Sequence, residues 1–197
     1  MRRILPELIL LITDAYTGQR PHLPYLLRID PPPVRRVRNP HGYHLLFYRL
    51  YGEGLEVTVS VSGPYYQPRE LRLSLPRGGP LEIELWPERI YPFPSGATLL
   101  YGQVFREGRP LGGVRVLART LFEEILTRTD TQGSFVLFPR RVEGRRLLRR
   151  GQGLFIPGPR GGRRISLQVE TPQGMIIRRH PRWPVGEETR IQVEVRP

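Results

Sequence analysis

Lysine and cysteine are both absent from the 197 residues, and asparagine occurs once, at Asn39. Without cysteine no disulfide can staple the fold and no thiolate can act as nucleophile or metal ligand. Without lysine all 31 basic residues are arginines, whose guanidinium groups stay charged at any physiological pH. Heat tolerance would fit the 22 prolines and few amides, but hyperthermophile proteins are enriched in lysine, so GC-rich codon usage is the preferred reading. No apolar run approaches the roughly 20 residues needed to span a bilayer as a helix. Leu8 to Ile12 follows Arg2 and Arg3, but Pro6 and Glu7 interrupt it and no small-residue cleavage site follows. It is read as a first strand, and the protein as made in the cytoplasm without a signal peptide.

Catalytic groupings are also scarce. There are four histidines (His22, His41, His44, His180), three aspartates (Asp14, Asp30, Asp130) and no Gly-x-Ser-x-Gly elbow. His41 and His44, three apart at a turn, are read as ordinary turn and surface residues. Asp14 and Asp130 sit where an aspartate bonds local backbone amides. The expectation is a non-enzymatic protein with no cofactor and no metal.

What the chain does contain is a repeat. Asn39-Pro40-His41-Gly42 opens into Tyr43 to Phe47, and Asp130-Thr131-Gln132-Gly133 opens into Ser134 to Phe138. Leu55 to Val59 is echoed by Ile165 to Val169, and Leu81 to Pro87 by Ile191 to Pro197, with 26 residues between Leu55 and Leu81 and again between Ile165 and Ile191. Strict alternation in these segments, as in Leu55, Val57, Val59 and Val61 against Glu56, Thr58 and Ser60, predicts strands with one buried face. The Asx-x-x-Gly segments fit type I turns. The fold class predicted is all-β, two tandem sandwich modules over 1–87 and 99–197. A proline-rich connector over 88–98 would join them.

The modules differ in one place. Gly42 to Leu55 is 13 residues and Gly133 to Ile165 is 32. The excess lies in an insert at 139–164 holding Arg140, Arg141, Arg145, Arg146, Arg149, Arg150, Arg160, Arg163 and Arg164 against one acid, Glu143, which is +8 of the chain's formal +13. Six glycines suggest a loose loop that becomes rigid on contact. Guanidinium groups fork onto carboxylates and phosphates, so the insert is the candidate docking element for an acidic protein surface or a polyanion. A nucleic acid neutralised at six to eight phosphates would show a log–log salt slope of about −5 to −7. Phe155 is the insert's lone aromatic, which argues against base stacking. A solvated loop whose arginines reflect codon bias is the bland alternative. Tyr65, Tyr66, Trp86 and Trp183 are candidate aromatic contacts for sugar or protein, or else they close core ends, with Trp86 sealing the module interface.

Each module resembles the carboxypeptidase regulatory-like family, with its transthyretin-like, seven-stranded, Greek-key Ig-type sandwich. The resemblance rests on Gly102-Gln103-Val104, Gly108 to Val116, and Thr129-Asp130-Thr131-Gln132-Gly133-Ser134-Phe135 in module two. Module one matches through Thr13 to Pro21, the Gly42 turn and Ser62 to Pro68. These motifs are turn chemistry and specify a fold. Transthyretin-like hydrolases use a C-terminal Tyr-Arg-Gly-Ser where this sequence reads Val195-Arg196-Pro197, and pilin-type relatives crosslink through a lysine that is missing here. The resemblance implies an accessory, adhesive or spacer role. The expected function is a subunit of a larger assembly, with virus-tail or injection-type particles first and oligomerisation open.

Overall fold

The computed structural model describes residues 5–50, 54–140, 142 and 144–195. The fold is all-β, its one helical element among the described residues being a single 3-10 turn at Gly144–Arg146. The chain divides into two compact units, Met1–Tyr91 and Pro92–Pro197.

Unit one holds β1 (Leu8–Asp14), β2 (Leu26–Asp30), β3 (Arg35–Arg38), β4 (Tyr43–Phe47), β5 (Leu55–Gly63), β6 (Tyr66–Leu75) and β7 (Pro80–Leu85). Its sheets run β3-β4-β1-β7 and β2-β5-β6. Unit two holds β8 (Leu99–Arg106), β9 (Arg109–Pro110), β10 (Arg115–Arg119), β11 (Glu124–Arg128), β12 (Ser134–Leu137), β13 (Leu148–Arg150), β14 (Gly153–Phe155), β15 (Ser166–Glu170), β16 (Ile176–Arg179) and β17 (Glu188–Val195). Its sheets run β12-β8-β17 and β11-β10-β15-β16, with β9 added to β8 and β13-β14 a separate hairpin.

The same construction appears in both halves. The first strand lies between the strand that follows the Asx-x-x-Gly turn, antiparallel to it, and the last strand, parallel to it: β4-β1-β7 and β12-β8-β17. The alternating residues supply the cores. Val57, Val59 and Val61 are each 1% exposed, and Ile165, Leu167 and Val169 are each at 0%. Full burial of one such side chain contributes roughly 1.5–3 kcal/mol. Leu55 and Leu81, at strand ends, are only half-buried.

The turns show why the motif recurs. Gly42 N–H donates to the Asn39 carbonyl and Gly133 N–H to the Asp130 carbonyl, both at 3.0 Å. Both glycines have positive φ, 88° and 69°, which disfavours any side chain there. Asn39 Oδ1 accepts from Tyr43 N–H, and Asp130 Oδ1 accepts from Gln132 and Ser134 N–H. Each turn thereby launches its strand in fixed register.

Of the stretch read as a connector, the first part belongs to unit one. Tyr91 is buried there and Glu88 N–H donates to the Tyr65 carbonyl. Farther on, Phe93 packs on Phe138 with centroids 6.1 Å apart, and Gly186 N–H donates to Thr98 Oγ1 within unit two. Prolines there set direction, while Tyr91 and Phe93 beside them are folded in and Arg89 and Ile90 stay exposed.

Unit one is organised around a buried carboxylate. Asp14 is 0% exposed. Its Oδ1 accepts from Tyr16 and Thr17 N–H, and its Oδ2 accepts from the hydroxyls of Tyr66 at 2.8 Å and Tyr91 at 2.7 Å. Burial raises both phenol pKa values above the ordinary range, reinforced by the bond to Asp14 and its charge. Burial also pushes Tyr48 up to about 12. A raised phenol pKa leaves stability intact below about pH 10, where the unfolded chain is also protonated. Above that the unfolded phenols ionise first, and stability falls by up to about 1.4 kcal/mol per pH unit per group. Denaturant midpoints measured at pH 9 and 11 should therefore drop for unit one, and the Tyr66→Phe/Tyr91→Phe variant should show a shallower drop. An unchanged midpoint at pH 11 would contradict this.

Candidate interaction face

The insert at 139–164 is not the glycine-loosened loop that its composition suggests. Residues 148–155 form the β13-β14 hairpin, with Leu148 opposite Phe155 and Arg150 opposite Gly153. The hairpin is tied down on one side: Ile156 N–H donates to the Trp183 carbonyl and Val185 N–H to the Leu154 carbonyl, each at 2.8 Å. Ile156 and Trp183 are both fully buried. Residues 158–162 then make a tight turn, with Gly158 N–H donating to the Gly162 carbonyl at 2.8 Å and Gly161 N–H to the Gly158 carbonyl at 2.9 Å. A Cβ on Gly158 would lie 1.9 Å from the Arg164 carbonyl oxygen, so no other residue fits. These glycines serve tight geometry, which is why counting them as looseness misreads the segment.

This framework sorts the arginines into two groups. Arg149, Arg150 and Arg163 join Arg182 around a pocket of 190 Å³ whose apolar wall is Leu148 and Phe155. Arg160 and Arg164 join Arg119, Ser166 and His180 around a second, of 490 Å³. Among the described residues no acidic side chain lines either. Arg119 is held by Glu124 at 2.7 Å. Arg145, Arg149, Arg150, Arg160, Arg163 and Arg164 are exposed, and none makes an ion pair among the described residues. Two others have local contacts: the backbone N–H of Arg140 donates to Glu123 Oε1 at 2.7 Å, and the Arg146 guanidinium lies over the Phe122 ring at 5.8 Å. Arg141 lies outside the described residues.

Sequence reading missed Arg119, His180 and Arg182, which lie outside the insert and meet it only through chain pairing. One signal was present, the basic run Arg178-Arg179-His180 with Arg182.

Two of the four candidate aromatic contacts are corrected. Tyr66 is 1% exposed with its hydroxyl committed to Asp14, and Trp183 is 0% exposed, on the segment that pairs with 154–156. Neither ring presents a face to a partner. Tyr65 and Trp86 are half-buried. The histidines divide as well. His41 is exposed in its turn, whereas His44, read as a surface residue, is 3% exposed, because its position in β4 alternates inward with Leu46. Among the described residues no group of three or more His, Asp or Glu side chains could hold a metal.

No family model and no curated protein matches the chain. Among solved structures, the Bacillus anthracis TIE protein overlaps 96% of this chain at 10% identity and a TM-score of 0.30; the chain spans 33% of that protein's length. A structure from streptococcal virulence factors, of family 41 carbohydrate-binding modules described for alpha-glucan recognition, overlaps 95% of this chain and 92% of its own. Its identity is 12% and its TM-score 0.25. Superpositions this loose carry no functional argument.

Proposed function

We propose that this is a non-enzymatic interaction protein, a subunit or accessory component of a larger assembly, which docks through the arginine face of unit two onto an acidic protein surface. Four guanidinium groups around one small apolar-walled pocket carry the reading. A nucleic-acid backbone asks for cations at regular spacing and has no need of the Leu148–Phe155 wall. An acidic polypeptide can place one apolar side chain against that wall and carboxylates on the rim, where forked, charge-assisted bonds form. Because the hairpin is already folded, little ordering cost opposes binding. We further propose that both units are variants of the transthyretin-like sandwich, used as a scaffold for this face.

The probe is a five-residue peptide with phenylalanine between two pairs of glutamates, followed by fluorescence anisotropy against the same peptide with a central alanine. The phenylalanine peptide should bind more tightly by about tenfold, the worth of about 1.4 kcal/mol of apolar contact. The Arg149→Glu/Arg182→Glu variant should lose roughly thirtyfold or more, since each reversal replaces attraction by repulsion. Equal binding of the two peptides would reduce the face to nonspecific charge. Duplex DNA binding with a salt slope near −6, alongside no peptide binding, would replace the protein-partner reading by the polyanion one.

A further inference from the structure

Unit one carries a second concentration of positive charge, unrelated to the insert. The edge strand β3 pairs with β4 so that Arg36 stands opposite Leu46 and Arg38 opposite His44. Cross-strand neighbours share a face. Leu46 and His44 are buried, so Arg36 and Arg38 lie on the core-facing side of the sheet at its open edge. Arg35, on the opposite face, instead covers the Phe47 ring at 5.8 Å.

The edge opens into a shallow groove of 410 Å³ lined by both guanidinium groups and His44, and by His22 and an apolar wall of Leu23, Pro24, Tyr25 and Leu27. No carboxylate is among those lining residues, and neither Arg36 nor Arg38 forms an ion pair among the described residues. The imidazole of His44 adds an independent mark. Arg36 Nη2 lies 3.2 Å from His44 Nδ1. A guanidinium can only donate, so Nδ1 accepts and the ring proton sits on Nε2. That buried Nε2–H has no acceptor among the described residues. Burial first, then the charges of Arg36 and Arg38, push the imidazole pKa down to about 4, so the ring is neutral at pH 7. The two arginines thus offer donors and positive charge beside an apolar wall, with the His44 ring fixed against Arg36.

We propose that this opening is a binding site for a small molecule with an oxyanion head and an apolar body, the head between Arg36 and Arg38 and the body against Leu23, Pro24, Tyr25 and Leu27. The site is separate from the arginine face of unit two and does not depend on the function proposed for it. Successive same-face residues on a strand are about 7 Å apart, so two guanidinium groups can converge on one head.

The test uses the full chain and the histidine resonances by NMR at pH 7. 2-Naphthoate and 2-naphthyl phosphate supply the body with a carboxylate or phosphate head. Acetate supplies a head alone, and 2-naphthamide a body alone. At least one of the two complete probes should shift the His44 resonances in a saturable way, at least tenfold more tightly than either control, and comparing the two separates a carboxylate from a phosphate ligand. The Arg36→Met/Arg38→Met variant should lose at least tenfold in affinity with an unchanged unfolding midpoint. Arg36→Lys/Arg38→Lys should retain part of the binding, which guards against a misfolded variant. If neither complete probe shifts His44, if His41 and His180 respond equally, or if the methionine variant binds as well as the parent, the site does not exist. In that event the inward arginines serve only to discourage strand addition at the β3 edge.

Discussion

Replacing Asp14 with alanine is expected to destabilise unit one by roughly 3–5 kcal/mol, as when a buried charge-assisted network loses its centre. The carboxylate is fully buried and accepts four hydrogen bonds, two from the turn amides of Tyr16 and Thr17 and two from the hydroxyls of Tyr66 and Tyr91. Alanine leaves those four donors without their acceptor in a buried site. It also removes the hydroxyl's anchor for Tyr91, at the end of unit one, which packs edge-on to Tyr66 with ring centroids 5.8 Å apart. Asparagine should recover little, because its amide nitrogen would confront donors on one side. Tyr91→Phe should cost less, roughly 1.5–3 kcal/mol, since only one bond to a charged group is lost. Asp130→Ala serves as the control: Asp130 is half-buried and bonds only its own turn amides, so about 1 kcal/mol is expected. Denaturant unfolding followed by the fluorescence of Trp86 in unit one and Trp183 in unit two distinguishes the halves. A fall of under about 1 kcal/mol for Asp14→Ala, with the Tyr66 and Tyr91 hydroxyls re-satisfied, would show that the network is incidental.

Trp183→Ala is expected to cost unit two roughly 3–5 kcal/mol, the range for truncating a large core aromatic. It should also abolish peptide binding by the arginine face. Trp183 is not among the residues lining the pocket. Its segment pairs alongside 154–156 through the bond from Ile156 N–H to its carbonyl, and its side chain fills the core with Ile156 on the buried side of that pairing, so truncating it leaves the backbone bond but not the packing. Without that support Arg149 and Arg150 lose their fixed positions relative to Arg163 and Arg182. Trp183→Phe separates packing from the indole N–H. Its Nε1 is buried without a partner among the described residues, so removing it relieves an unsatisfied donor while most of the volume remains. That variant should bind the peptide within about threefold of the parent. Hydrogen exchange at Leu154, Ile156 and Val185 reports the hairpin directly. Undiminished protection of Ile156 in Trp183→Ala would sink the account.

Strand identity followed from side-chain alternation alone. Val57, Val59 and Val61 point one way because a strand repeats every two residues, and burial then selects that face. The turns were equally plain, because an Asx-x-x-Gly segment has few low-energy geometries. The repeat of these local patterns indicated a duplicated construction, and the arginine tally showed where charge concentrates. Nothing local revealed that Asp14 would gather Tyr66 and Tyr91, 52 and 77 residues away. Arg182 joining Arg149 at one pocket was no more visible, nor was the turning inward of Arg36 and Arg38 beside His44. Composition sets how many cations and rings a chain owns, and periodicity sets which face of a strand each occupies. Which groups then meet depends on strand order and register, long-range pairings that chain-local energetics do not encode. Local pattern therefore settled the all-β architecture and the presence of a basic excursion, while tertiary pairing decided that the excursion is rigid, which arginines converge, and that two of the aromatics are core.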